Sequence, residues 1–356
     1  MLGIRKEKEF TPVVTTSSIS ASNNTNKAWN VAAMSGDGSV VYACANNDYI
    51  YKSTDGGLSF QPITTLTTNY WKDIGTSTDG LYIAVVTFET TPANYQNAKL
   101  FISQNGGITW TEKIGQTRWS SVSVSNNGQK MIASSQDTGS VYISTDYGNT
   151  WTLNSALGTG NWIVARVSGD GSLFVVGITS VLKTSSDGIT WTDNSLPFSQ
   201  IDKLVLSTTG QYQLLSIVNG GTPYIYISQN FGTDISTTAV RTGGFGQTSV
   251  SLSISSSGQY MTYSIGGNTI GVSSNFGTNF TTNPGSLGSQ NWRFSVMSSD
   301  GSTQLLGVSN TSIYKSTNYG TTFTALPTGT TSSVSTISYI TTEFNRVNLT
   351  ASKQIK

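Results

Sequence analysis

Seven times along these 356 residues a serine is followed at fixed offsets by Asp or Asn, then by Gly, and in most copies by Thr and an aromatic residue. The copies run Ser53–Phe60, Ser103–Trp110, Ser144–Trp151, Ser185–Trp191, Ser228–Ile235, Ser273–Phe280 and Ser316–Phe323. Their serines lie 50, 41, 41, 43, 45 and 43 residues apart. A period of about 40 to 45 residues without helical periodicity is the length of four short strands and their turns. Such a unit has two apolar faces and cannot bury either alone, so units must stack.

A second signal has the same period. A polar turn ends in Gly38, Gly80, Gly128, Gly171, Gly210, Gly258 and Gly301. Nine residues before each stands Trp29, Trp71, Trp119, Trp162, Ile201, Ser249 or Trp292. Between them apolar residues recur at a spacing of two, as in Val122 and Val124 or Leu204 and Leu206, which is the strand period. The first repeat therefore reads as strands Trp29–Ser35, Val40–Cys44, Tyr49–Ser53 and Leu58–Thr64. The tryptophans read as packing groups rather than as a binding platform.

The fold class expected is all-β, a seven-bladed β-propeller of four-stranded antiparallel blades, with eight blades the alternative. Residues 1–28 are expected to be an N-terminal extension with a candidate closing strand, 29–326 the propeller, and 327–356 a C-terminal strand and tail. The Phe10–Thr16 stretch resembles an outer strand and Ser333–Tyr339 an inner one. The two could latch a blade or together begin an incomplete eighth. Segment 1–9 and the tail from Asn345 read as extensions able to contact a neighbour.

Composition removes several function classes. With 19 basic and 18 acidic residues the formal charge is +1, so nothing favours nucleic acid or an anionic membrane as partner. No run approaches 18 apolar residues, which argues against membrane insertion. The charged start Met1–Glu9 does not read as a signal peptide, which points to synthesis in the cytoplasm. Cys44, the single cysteine, lies in an apolar strand and reads as a small buried hydrophobe. Histidine is absent, which removes the commonest general base and zinc ligand; no metal and no cofactor are expected.

Ser144-Thr145-Asp146-Tyr147-Gly148-Asn149-Thr150-Trp151 resembles the Asp-box, or bacterial neuraminidase repeat, S-x-D-x-G-x-T-W. That resemblance covers about residues 29 to 326. The motif occurs in sialidases, Vps10-type receptor domains, some xyloglucanases and photosystem II assembly factors of the Ycf48 type. Its Asp or Asn accepts backbone N–H groups in the turn between the third and fourth strands. The corresponding structural positions are Asp55, Asn105, Asp146, Asp187, Asn230, Asn275 and Asn318. Four of the seven are Asn, so a calcium-binding role for the turn fits poorly.

A sialidase-like glycoside hydrolase should show more. The family's Arg-Ile-Pro segment is missing, and none of the five glutamates falls in an inner strand. Asp73 and Asp202 do fall in or beside inner strands, but spacing alone cannot make them a catalytic pair. The chain is expected not to be an enzyme. A photosystem II-type assembly chaperone would show a concentrated basic patch, whereas here the cations are scattered. The expected function is a structural or interaction module with protein partners and glycan contacts. The Trp…Ser-x-Asp-Gly rhythm is similar to repeat propellers of large DNA viruses and marine microbes, which implies a virion-surface, capsid-associated or extracellular assembly setting. If there is a ligand site, Asp73, Arg166, Lys203 and Arg293 near the axis are its candidates. The insertion Phe88–Asn97 is the candidate contact loop.

Overall fold

The computed structural model describes residues 14–18, 27–89, 97–115, 117–137, 139–196, 200–235, 240–242, 249–267, 269–288, 290–326 and 333–337. Residues 90–96 of the expected contact loop Phe88–Asn97, segment 1–9 and the tail from Asn345 lie outside the described residues.

Residues 29–325 form seven four-stranded antiparallel sheets, each built from four consecutive strands. They are the seven blades of a β-propeller. The inner strands are Trp29–Met34, Trp71–Thr76, Trp119–Val124, Trp162–Val167, Ile201–Leu206, Val250–Ile254 and Trp292–Met297. No helix among the described residues is long and apolar enough to cross a membrane.

The expected latch is not formed. Val14–Ser18 pairs antiparallel with Ser333–Ile337 in a two-stranded sheet of its own, and neither strand joins a blade. Each blade already has its four strands, so neither end is needed to complete a seventh or to start an eighth.

The apolar core is divided into seven slabs, one between each pair of adjacent blades. Second strands such as Val41–Ala45 and Ile83–Thr87 are buried throughout, because a neighbouring sheet covers both faces. Cys44 is one of those buried residues, and burial pushes its thiol up. Trp29, Trp71, Trp119, Trp162 and Trp292 are fully buried and mark five of the seven slabs. The seam between the last blade and the first is a slab like the others, with Trp29 and Tyr51 against Phe294, Leu305 and Ile313.

A ring of peptide hydrogen bonds closes one end. After each inner strand a Ser-x-x-Gly turn sends one N–H to the next blade. Gly36 donates to Thr78 O (2.7 Å), Thr78 to Asn126 O (2.8 Å) and Asn126 to Gly169 O (2.7 Å). Asp170 donates to Thr208 O (2.9 Å), Thr208 to Ser256 O (2.8 Å), Ser256 to Ser299 O (2.8 Å) and Ser299 back to Gly36 O (2.7 Å). The contact is too close for a side chain at Gly36, where a Cβ would fall 2.2 Å from Thr78 Cγ2. Lysines reinforce the joints: Lys52 Nζ donates to Gly106 O, Lys130 to Gly171 O and Lys315 to Gly56 O across the seam.

The second turn of each blade is a serine relay. Ser53 Oγ donates to Asp55 Oδ1 (2.6 Å) and accepts Gly57 N–H (2.8 Å), while Ser59 N–H closes on Asp55 Oδ1 (2.9 Å). This wrap holds Leu58 in the turn, so the fourth strand runs Gln61–Ile63 rather than from Leu58. Equivalent bonds to Asn105, Asp146, Asp187, Asn275 and Asn318 repeat it. The fifth turn departs from expectation: Asp234 Oδ1, not Asn230, accepts Ser228 Oγ (2.6 Å) and the N–H groups of Gln229 and Asn230. The shift follows the sequence there, which puts Asp where other copies have Ser, Thr or Asn.

Six of the seven copies of this turn use two successive positive-φ residues, and the shorter fourth copy uses Gly188 alone. Gly56 and Gly57 supply them in the first copy, but Tyr147, Phe231, Phe276 and Tyr319 occupy the first position elsewhere. An aromatic residue there is strained by about 1 kcal/mol. Three of the four rings stack on a tyrosine of the preceding blade, and Tyr319 lies 4.6 Å from Tyr260 at 26°. Such a pair contributes roughly 1 kcal/mol. Tyr319→Ala should lose the stack and keep the strain, while Tyr319→Gly loses both terms and stays near wild type. Calorimetric melting of the two variants checks this; an equal or larger loss in Tyr319→Gly would refute the balance.

Candidate functional site

All seven inner strands run in one direction, from the end where each begins to the ring of turns. Their inward faces enclose an axial channel of about 490 Å³. Around its first half stand Lys72, Asp73, Arg166, Asp202, Lys203 and Arg293, with Ser249, Ser251 and Ser253 of the sixth blade. Toward the turns follows an apolar belt of Met34, Val124, Val167, Leu206, Ile254 and Met297.

A local irregularity brings charged neighbours into the same space. In six blades the register shifts between the first and third residues of the inner strand, as between Trp71 and Asp73 or Ile201 and Lys203. A bulge breaks the alternation of side chains. Consecutive residues, Lys72 with Asp73 and Asp202 with Lys203, thereby both line the channel. Lys72 escapes a reading based on period-two alternation for this reason; the only sequence sign of it is its place directly after a repeat Trp.

The four candidates Asp73, Arg166, Lys203 and Arg293 all reach the channel, but they are not equivalent. Asp73 Oδ2 accepts Arg166 Nη1 (2.9 Å), Ser121 Oγ (3.0 Å) and Val122 N–H (3.1 Å). Arg166 also donates through Nε to Leu204 O (2.8 Å) and through Nη1 to Ala165 O (3.0 Å). One ion pair thus joins blades two to five, and both partners are occupied within the protein. Burial acts to raise the Asp73 carboxyl, but the Arg166 and Lys203 charges outweigh it and hold the group below its ordinary value.

Asp202 is the opposite case. Its Oδ2 is buried with no hydrogen-bond partner, and burial raises the carboxyl more than Lys203 and Lys72 lower it. Lys72 is itself lowered by burial and by the Lys203 charge. Lys72 lies over the Phe88 ring, 5.3 Å from its centre.

The two aspartates predict opposite pH behaviour. A lowered carboxyl stabilises the fold above its unfolded value near 3.9 and loses that contribution as pH falls through the folded value. Asp73→Asn should cost roughly 3 kcal/mol at neutral pH, with the deficit shrinking below about pH 4. A raised carboxyl costs stability once pH exceeds its unfolded value. Asp202→Asn should therefore raise the melting temperature at neutral pH and lose its advantage below about pH 4. Melting curves from pH 3 to 8 decide both, and a destabilised Asp202→Asn at neutral pH would contradict the second (pH range on the order of the carboxylate values).

The other distinctive surface is the end carrying both sets of turns. One large apolar residue occupies each serine-relay turn: Leu58, Ile108, Tyr147, Ile189, Phe231, Phe276 and Tyr319. Leu58, Ile108 and Ile189 are 51%, 67% and 73% exposed. The same turns hold Asp37, Asp55, Asp79, Asp146, Asp170, Asp187, Asp234 and Asp300, and no Lys or Arg. Hydrogen bonds hold the carboxyls of Asp37, Asp55, Asp146, Asp170 and Asp300 below their ordinary value; Asp187, accepting the N–H groups of Thr190 and Ile189, is lowered to about 2. This face is apolar and acidic, its lysines Lys52, Lys130 and Lys315 being bound to turn carbonyls, whereas the channel's far half carries cations without such acceptors. Among the described residues no cluster of metal-ligating side chains occurs.

Neither a protein-family model nor any curated protein matches the sequence. Solved structures do match in shape. The glycoside hydrolase family 74 xyloglucanase of Xanthomonas campestris superposes with a TM-score of 0.64 at 11% identity, over 87% of this chain and 54% of that one. The chain thus spans about half the xyloglucanase's length. YCF48 bound to a D1 peptide gives 0.56 at 14% identity over 87% and 98% of the two chains. YCF48 from Cyanidioschyzon merolae gives 0.59 at 13% over 84% and 97%. At such identities the likeness is one of fold.

Proposed function

We propose that this propeller is a non-catalytic interaction module that docks a partner protein on its turn face, as a component of an assembled particle at a virion or extracellular surface. The observation that carries the reading is an apolar residue repeated in all seven serine-relay turns and exposed in six of them, Phe276 being half-buried. Large exposed apolar groups are costly to maintain in isolation and mark contact surfaces when they form an organised set. Eight aspartates in these turns, against the lysines Lys52, Lys130 and Lys315 whose ammonium groups are bound to turn carbonyls, leave the face acidic and favour a partner surface bearing Lys or Arg. A Ycf48 structure holds a peptide, so the fold is compatible with protein ligands. The neutral, hydroxyl-rich outer strands suit additional glycan contact, and the particle setting rests on the sequence rhythm alone.

Hydrolysis is the competing reading, because two channel carboxylates with opposed shifts resemble an acid and a base. Against it, Asp73 is already committed to Arg166 and two further donors.

A photo-crosslinking amino acid placed at Ile108 or Ile189 should capture protein in the native assembly, while the same group at Leu153 on an outer strand should not. Equal yields at the three positions would remove the docking face. Incubation with fluorogenic sialosides and xyloglucan oligosaccharides should give no turnover; turnover abolished by Asp202→Asn would replace the proposal with the hydrolytic one.

A further inference from the structure

Nearly every cation whose side chain is described has an acceptor. Lys27, Lys99, Lys183, Arg118 and Arg166 pair with carboxylates. Lys52, Lys113, Lys130 and Lys315 donate to backbone carbonyls. Three exceptions remain, Lys72, Lys203 and Arg293, and all three line the channel. Lys72 has only the Phe88 ring. Asp202 stands beside them with its Oδ2 buried and unpartnered, yet forms a salt bridge with none of them.

These cations reach the channel from different blades. Lys72 projects from the second blade and Lys203 from the fifth, on opposite sides of a ring whose diameter is fixed by seven slabs of core. Desolvated charges without partners cost stability, so this arrangement suits a ligand that supplies the missing acceptors. Four cations against two carboxylates leave two positive charges on the lining. The surroundings are hydroxyl-bearing: Ser249, Ser251 and Ser253 keep acceptor or donor capacity beyond the bonds they already make. The channel, at about 490 Å³, has the size of a small-molecule site.

We propose that the charged half of the channel binds a small dianion on a hydroxylated body, a sugar phosphate being the simplest such ligand. Lys72, Lys203 and Arg293 would hold the phosphate oxygens, and the serines of the sixth blade the hydroxyl groups. The apolar belt sets the depth to which a polar ligand can pass. The site is separate from the turn face, and it stands or falls independently of docking there.

Isothermal titration of the purified protein with glucose 6-phosphate tests this, with glucose, inorganic phosphate and succinate as comparison ligands. Binding tighter than about 1 mM is expected for the sugar phosphate, at least tenfold weaker binding for phosphate, and none for glucose. Lys203→Gln and Arg293→Gln should each weaken binding about tenfold or more, while Lys113→Gln on an outer strand leaves it unchanged. Melting curves run beside the titrations show that each variant is folded; if Lys203→Gln is not, Lys72→Gln takes its place. No detectable binding of glucose 6-phosphate, or equal affinity in the folded channel variants, overturns the site. Succinate binding as tightly as the sugar phosphate overturns the hydroxylated phosphate class.

Discussion

Closure of the ring is the constraint on which everything else in this propeller depends. Among the described residues no strand is exchanged between the two ends of the blade array, and the seam is held by contacts between residues such as Gly56 and Lys315, 259 positions apart in the chain. The peptide ring from Gly36 through Ser299 back to Gly36, the Trp29–Phe294 slab, the Asn310 N–H bond to Lys27 O and the Lys315–Gly56 bond are among those contacts. Each peptide bond is individually modest. Arranged in a closed circle they make every blade's position conditional on the next, which is why a single unsubstituted Cα at Gly36 matters at the seam.

A closed ring also decides what the axis can do. Inner strands that run in parallel around a fixed circumference place equivalent positions at equal depth. Bulges near their starts then turn neighbouring charged residues inward together. Asp73 and Arg166 use that geometry to tie four blades, which makes them part of the scaffold. Lys72, Lys203, Asp202 and Arg293 line the same channel without forming a salt bridge to one another. The difference between a structural and an available charge is therefore set by blade spacing, not by residue type.

The fold was largely legible in the chain. Two periodic turn signals, each with its serine and glycine, give the blade length, the blade number and the end of the blade at which the turns lie. The relay through Ser53, Asp55 and Gly57 is local chemistry, and local chemistry can be read from spacing. Legibility failed where a residue's role depended on something outside its own repeat. Asn230 looked like the acceptor of the fifth turn, but Asp234 took the position. For the terminal stretches the sequence left open a latch on a blade or a pairing of the two ends, and Val14–Ser18 and Ser333–Ile337 pair with each other. The four axial candidates did reach the channel, yet no spacing could distinguish the pair that satisfies itself from the cations that stay open.

By itself, then, the sequence determined the blade, because strands, turns and caps are specified within some forty residues by backbone hydrogen bonds and side-chain alternation (about one repeat). Only the tertiary structure decided the ring, the channel and the two unlike faces. A charge on blade two meets one on blade five through the circumference, and an exposed Leu58 becomes part of a seven-membered apolar set only once its six counterparts share a plane of turns. Those relations depend on distances around a closed circle, and a linear repeat does not contain them.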